Sequence, residues 1–290
     1  QFILTSHSPN LASKVKLENL IVCKDGCTYP MGKKYTKLLD GDYYFLERFL
    51  DSTKANMFFA NGVILVEGDA ENILVPALSK LISRDLSKYG VSIVNVGSTA
   101  FLRYANIFLR ADKTAFNIPV SLITDVDVKP IECKPKIEDK EMTGDEIEAK
   151  RNKTIIEKEA KYSEPIVSFI APYWTLEYSI ALSCLSELFW QAVYICWKKK
   201  GEDYVYTNEQ RTALIIEANE EYSKWQKAYY SSAKKAYKIY KETLLDKQLS
   251  KAVVAQVFSQ LLNERDPEDI RNDENLKYLV RAINYATGAK

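Results

Sequence analysis

Two apolar runs that each stop abruptly on carboxylates constrain this chain more than anything else in it. Val63-Ile64-Leu65-Val66 runs into Glu67-Gly68-Asp69-Ala70-Glu71, and Ser121-Leu122-Ile123-Thr124 runs into Asp125-Val126-Asp127. Short apolar runs rich in β-branched residues read as strands buried on both faces, the situation of a parallel sheet. In open α/β sheets ligands bind beyond the C-terminal ends of the strands, so the two runs predict acids gathered along one sheet edge. Carboxylates brought together without counter-charge raise one another's pKa, and Mg²⁺ or Mn²⁺ is the usual compensation.

The pattern around these runs supports a sheet. Strand 63–66 leads into an amphipathic helix over about 70–88, strand 91–96 into a helix over 100–111, and strand 120–124 into a charged connection. Residues 132–164 are rich in Lys and Glu and read as a mobile loop followed by a solvated helix over about 146–162, after which 166–171 supplies a fourth strand. The alternation predicts an α/β fold, a parallel sheet flanked by helices with right-handed crossovers. Beyond Trp174 the pattern is helical throughout, with helices expected over 176–198, 208–245, 250–263 and 275–286, which predicts an additional, mainly helical domain. Ahead of the sheet, 1–5 and 17–23 read as strands, 24–26 as a turn, and 42–59 as a helix with Tyr44, Phe45, Phe49 and Leu50 on its inner face.

Composition narrows the class. With 40 Lys and Arg against 39 Asp and Glu, the 290-residue chain has a formal charge of +1, so any nucleic-acid binding must come from local patches. Five cysteines scattered without a signal peptide argue against a secreted disulfide framework and for a cytoplasmic setting. Cys23-x-x-x-Cys27 lacks a second ligand pair, and His7 is the sole histidine, which argues against zinc. The apolar stretches fall well short of the roughly 18–20 residues that span a bilayer, so no membrane segment is expected.

Each acid taken alone has an ordinary explanation. A helix N-terminus favours Glu through its dipole, and a strand end simply meets water. As a set they say more: Glu67 ends one strand, Glu71 lies one helical turn on, Asp125 and Asp127 alternate across the end of another strand, and Glu177 follows the fourth strand in Tyr173-Trp174-Thr175-Leu176-Glu177-Tyr178.

Val66-Glu67-Gly68-x-x-Glu71 followed by Asp125-Val126-Asp127 resembles the Toprim pattern of topoisomerases, bacterial primases and the overcoming-lysogenization-defect (OLD) nucleases. The OLD family is the nearer likeness. Leu4-Thr5-Ser6-His7-Ser8-Pro9 looks like the switch-histidine segment that ends an ABC-type ATPase module, and the phrase from Phe49-Leu50-Asp51 to Phe58-Phe59-Ala60-x-Gly62-Val63 resembles the OLD class that includes the large Gabija ATPase-nuclease subunit. The resemblance spans most of residues 1–185 and is weaker beyond.

The resemblance implies a Toprim-type sheet and two divalent ions, Mg²⁺ or Mn²⁺, held by Glu67, Glu71, Asp125, Asp127 and Glu177, with Ser98 a further oxygen ligand. It places a catalytic lysine at Lys251, in Lys251-Ala-Val-Val-Ala-Gln, although a lysine that starts a helix is also ordinarily solvated. Two ions about 4 Å apart are suited to phosphodiester hydrolysis, with Glu67 and Lys251 in the catalytic machinery. His7 implies nucleotide binding only within an intact ATPase, and this chain holds no G-x-x-x-x-G-K-[ST] loop.

The organisation so implied is an ATPase remnant over 1–27, a linker and connecting helix over 28–60, a Toprim domain over 61–174 and a helical domain over 175–290 that contributes to the nuclease site. The expected function is a metal-dependent DNA endonuclease, the nuclease half of an ATP-regulated antiphage protein. The resemblance also implies a homo-oligomer, dimer or tetramer, and a UvrD-like helicase partner if the type is Gabija. A Toprim enzyme of the topoisomerase or primase type and a non-catalytic interaction module are the alternatives. Tyr222, Trp225 and Tyr229, interleaved with lysines, are open to two readings, packing residues or a surface that stacks on bases.

Overall fold

The computed structural model describes residues 2–97, 101–112, 114, 116–137, 140–262 and 265–289. Its centre is a four-stranded, all-parallel sheet in the order Val91–Asn95, Gly62–Val66, Val120–Thr124, Ile166–Ile170. The two acid-tipped runs are the two central strands, and every residue of both is buried. Successive residues point to opposite faces, so Val63, Leu65, Val120 and Leu122 enter one core while Ile64, Val66 and Ile123 enter the other.

Helix Asp69–Leu81 crosses from the first strand to the second, Phe101–Asn106 from the second to the third, and Gly144–Glu159 from the third to the fourth. The last of these begins with a capping box in which Thr143 and Glu146 satisfy each other's backbone N–H groups. A short hairpin, Lys136–Ile137 with Lys140–Glu141, interrupts the connection that was expected to be loop.

One face of the sheet is covered by residues that precede it: Met31, Leu46, Leu50, Met57 and Phe58 share a core with Val63 and Leu65. The antiparallel hairpin Ile21–Lys24 with Cys27–Pro30 turns at Asp25 and Gly26, both at positive φ. The other face is covered by helix Asp69–Leu81 and by helix Lys277–Ala286 from the far end of the sequence. That docking is close. A Cβ added to Gly62 would lie 2.0 Å from the Ala286 carbonyl oxygen, so only glycine fits, and the buried Ser121 hydroxyl donates to the Ala282 carbonyl at 2.7 Å. Helix Lys251–Leu261 packs on Asp69–Leu81 and on Ser186–Lys199, and helix Asn208–Lys227 on Ser186–Lys199. The helical half therefore shares a continuous core with the sheet.

Several expected elements differ. Residues 2–8 form no strand, and Phe2, Ile3 and Leu4 are exposed; a strand needs a pairing edge, and none meets this segment among the described residues. The 42–59 helix is three pieces, Asp40–Phe49, Ser52–Ala55 and Asn56–Phe59, because Asp51 caps the second through the Lys54 N–H. Its inner face is Tyr43, Leu46 and Leu50, with Phe45 half-buried and Tyr44 and Phe49 outside. The 176–198 helix breaks at Ser183, which is extended, into Leu176–Leu182 and Ser186–Lys199. The 208–245 helix ends at Lys227; Tyr229 is left-handed, Ser231 caps Ser232–Tyr237, and the following turns are π-helical over Lys238–Leu245. A further helix, Pro267–Asn272, was not expected.

Tyr222 and Trp225 are packing residues: both are buried, and the Trp225 ring stands 4.7 Å from that of Trp190. Lys235 and Lys238 lie over these two rings from outside, and Tyr229 is exposed.

Candidate functional site

The topology brings Glu67, Glu71, Asp125, Asp127 and Glu177 to the C-terminal edge of the sheet. Glu67 directly follows strand Gly62–Val66 and is held by the hydroxyl of Thr124, the last residue of the neighbouring strand, which donates to its carboxylate. Glu71, in the first turn of helix Asp69–Leu81, is buried. Gly68 leaves room for it, since a Cβ there would stand 3.2 Å from the Glu71 Oε2. Asp125 accepts the Leu176 backbone N–H at 2.7 Å, so the strand end is tied to the start of helix Leu176–Leu182. Asp127 is left-handed, and its N–H donates to the Trp174 carbonyl at 2.9 Å.

Glu177 sits in the first turn of a helix capped by Thr175, with its carboxylate almost fully buried. Lys251, at the start of a helix capped by Ser250, donates to Glu177 at 3.0 Å, and its ammonium lies 5.4 Å from the centre of the Tyr240 ring. The fold thus closes a 74-residue separation to pair the two. On the other side of the row, Lys158 of helix Gly144–Glu159 reaches the Asp125 carbonyl oxygen and, at 3.2 Å, the Asp127 carboxylate.

The electrostatics are those of crowded acids. Burial first, and then the charges of Glu177, Glu71 and Glu67, push the Asp125 carboxyl well above the ordinary range. Glu71 is pushed up to about 7, chiefly by burial and further by Glu177 and Glu67, against its own backbone N–H and Lys251. Glu67 is also raised, by burial and by Asp127, with the Thr124 hydroxyl opposing. Burial alone would lower Lys251, but the Glu177 charge and Tyr240 outweigh it, so the amine is held firmly protonated.

Tyr278 of helix Lys277–Ala286 lies within the field of these acids. Its ring is buried, its hydroxyl has no hydrogen-bond partner among the described residues, and the charges of Asp125, Glu71 and Glu177 add to burial in opposing its ionisation.

Of the other expected site residues, Ser98 lies outside the described residues. The structure does not bring His7 to the acids; it is exposed, with its ring 6.3 Å from that of Phe59. Three participants were not anticipated. Thr124 carried a signal, a hydroxyl where an apolar run meets its first acid. Lys158 is one of several lysines on a charged helix, and Tyr278 looks like any aromatic on an amphipathic one.

Residues 58–127 match the family model described as "Overcoming lysogenization defect protein-like, TOPRIM domain". Over that stretch the chain is similar to the OLD-like TOPRIM domain. The matched stretch holds Glu67, Glu71, Asp125 and Asp127 and stops short of Lys158, Glu177, Lys251 and Tyr278. Among solved structures, the C-terminal region of the Xanthomonas campestris pv. campestris OLD protein is similar at 21% identity, covering 81% of this chain and 95% of that one, with a TM-score of 0.46. The C-terminal region of the Burkholderia pseudomallei OLD protein is similar at 22% identity, covering 80% and 98%, with a TM-score of 0.43. No curated protein matches the chain. No helix among the described residues is long and apolar enough to cross a membrane.

TOPRIM domains generally bind divalent metals. Among the described residues, no three His, Cys, Asp or Glu side chains already stand in a closed metal-binding group. The donor set nonetheless suits a hard cation: it is all carboxylate oxygen, the acids raise one another's pKa, and the unpartnered Tyr278 hydroxyl faces the same charges.

Proposed function

We propose that this chain is a metal-dependent DNA endonuclease acting at the edge defined by Glu67, Glu71, Asp125, Asp127 and Glu177. The observation that carries the reading is that carboxylates gathered at one sheet edge, with Glu71 and Glu177 buried, raise one another's pKa and meet a firmly protonated lysine, Lys251, paired with Glu177 at 3.0 Å. Mg²⁺ or Mn²⁺, held by these five acids, would supply the lowered pKa of a water and the neutralisation of charge that phosphodiester hydrolysis requires.

The chain's own groups do the rest. Thr124 fixes the Glu67 carboxylate, and the Leu176 N–H fixes one oxygen of Asp125, which leaves its second oxygen directed by the first. Lys251 stays cationic at neutral pH, so it serves as a charge for the scissile phosphate and not as a proton acceptor. Its side chain is 41% exposed, which gives it access to a phosphate while Glu177 holds its inner side.

The wider reading makes this chain the nuclease half of an ATP-regulated antiphage protein, a dimer or tetramer, with a UvrD-like helicase partner in the Gabija type. It rests on the resemblance carried by residues 4–9 and 49–63, and light scattering of the purified chain tests the assembly. The central test is plasmid nicking in Mg²⁺ or Mn²⁺, comparing the chain with Glu67→Ala. Cleavage that needs the ion and disappears in the variant is expected. No cleavage with any divalent ion, together with no metal binding by calorimetry, overturns the reading. An RNA substrate run in parallel decides the sugar, because carboxylates act on the phosphodiester alone.

A further inference from the structure

A row of five carboxylates repels the very polyanion it is read as cutting, so substrate must be held by cations beside the row. Lys251 stands at its inner end, against Glu177. Lys158 stands at its outer end, against Asp127, whose side chain is 68% exposed. Lys158 belongs to helix Gly144–Glu159, which the fold inserts between the third and fourth strands. Two helical turns before it, on the same face, Arg151 stacks 4.6 Å over the Tyr173 ring. Arg151 and Tyr173 line a cavity of about 540 Å³ that also takes in Trp174, the residue whose carbonyl anchors Asp127. One helix therefore carries a cation to the mouth of the acid row and a second into the cavity next to it.

We propose that Lys158 is a substrate-binding residue that contacts a backbone phosphate of DNA on the Asp127 side of the row, so that the strand crosses the sheet edge between Lys251 and Lys158. The inference rests on the nuclease reading and deepens it. In the structure the Lys158 ammonium is already shared between a carbonyl and a carboxylate oxygen, with its side chain 30% exposed. A divalent cation held by Asp127 would compete with the ammonium for its carboxylate, and the freed charge of Lys158 would then be available to a phosphate. The purely structural alternative is a tether: Lys158 pins the inserted helix to the strand end and touches nothing else.

The experiment measures fluorescence anisotropy of a fluorescein-labelled 20-base-pair duplex in Ca²⁺ across a salt series, for the wild type, Lys158→Met, Lys158→Arg and Lys153→Met. Each lost phosphate contact lowers the slope of log K against log salt by about 0.9, which corresponds to roughly eightfold weaker binding at 0.1 M salt relative to 1 M. Lys158→Met is expected to show that loss, Lys158→Arg to restore the slope, and Lys153→Met to keep it. Lys153 carries the same charge on the same helix but is 76% exposed and paired with Glu157. An unchanged slope for Lys158→Met overturns the proposal, whether or not its melting temperature falls, because a tether lowers stability without changing counterion release. If Lys158→Met does not fold, Lys158→Gln takes its place, and an unchanged slope there overturns the proposal instead. A wild type that binds metal but no duplex overturns the nuclease reading along with this one, and the two failures are thereby distinct.

Discussion

Replacing Glu71 with Gln should stabilise the metal-free protein at alkaline pH while impairing its response to metal. Glu71 is 8% exposed, and its carboxyl is raised from an ordinary 4.5 to about 7. A folded-state pKa above the unfolded one means the folded state prefers the neutral acid. The associated stability is fully present below pH 4.5 and is lost as pH rises through about 7. At about 1.36 kcal/mol for each tenfold change in proton affinity, ionising Glu71 costs the folded state about 3 kcal/mol above neutrality. Gln is nearly isosteric and carries no charge, so it removes that cost. With an unfolding entropy of about 2.1 cal/mol/K per residue, the gain is a rise of about 5 °C in Tm. Calorimetric melts in EDTA at pH 8 should show this rise, and at pH 5 the two proteins should melt within about 1 °C of each other by the same linkage. Mg²⁺ should then raise the wild-type Tm and move the variant far less, because a cation relieves a repulsion that the variant no longer has. A variant that melts at or below wild type at pH 8 without metal refutes the argument that Glu71 is held against its own ionisation.

Gly62→Ala should cost about 3 kcal/mol in urea unfolding, because its Cβ would stand 2.0 Å from the Ala286 carbonyl oxygen; a loss below about 1 kcal/mol would show that the last helix is not seated on that strand. Tyr278→Phe removes a buried hydroxyl with no partner, so metal-free stability should hold or rise by about 1 kcal/mol, and calorimetry should show weaker Mg²⁺ binding. A clear stability loss in EDTA would count against the unpartnered hydroxyl. Lys251→Met should still bind metal but cleave about 100-fold more slowly or worse, and unchanged cleavage would remove Lys251 from the machinery.

The acid row was legible because strand and carboxylate are adjacent in sequence: Val66 to Glu67 and Thr124 to Asp125 need only the period and the run length. What closes the site is long-range. Lys251 meets Glu177 across 74 residues and Lys158 meets Asp127 across 31, and nothing local in a charged helix marks which lysine will turn inward. The misplaced inner face of the helix before the sheet has a different cause. Tyr44 and Phe49 are large and apolar, yet they lie outside while the smaller Leu46 is fully buried, because the core under the sheet sets the rotation of a helix at its rim. The strand expected over 1–5 does not form at residues 2–5, which meet no neighbouring strand among the described residues, a property no sequence window contains.

The docking of helix Lys277–Ala286 onto the sheet bears on how the protein is made. The helix is synthesised after every strand it covers, yet it closes the face formed by Ile64 and Ile123 and brings Tyr278 to the acids. During translation the sheet can assemble with that face covered only by the helices made so far, part of its apolar surface unprotected and its acids still without Tyr278. A ribosome that stops early releases a chain with both defects at once: prone to aggregate and lacking part of the proposed cutting site. On the nuclease reading, cutting competence thus arrives only once helix Lys277–Ala286 has been made, when the polypeptide can also hide this part of its core.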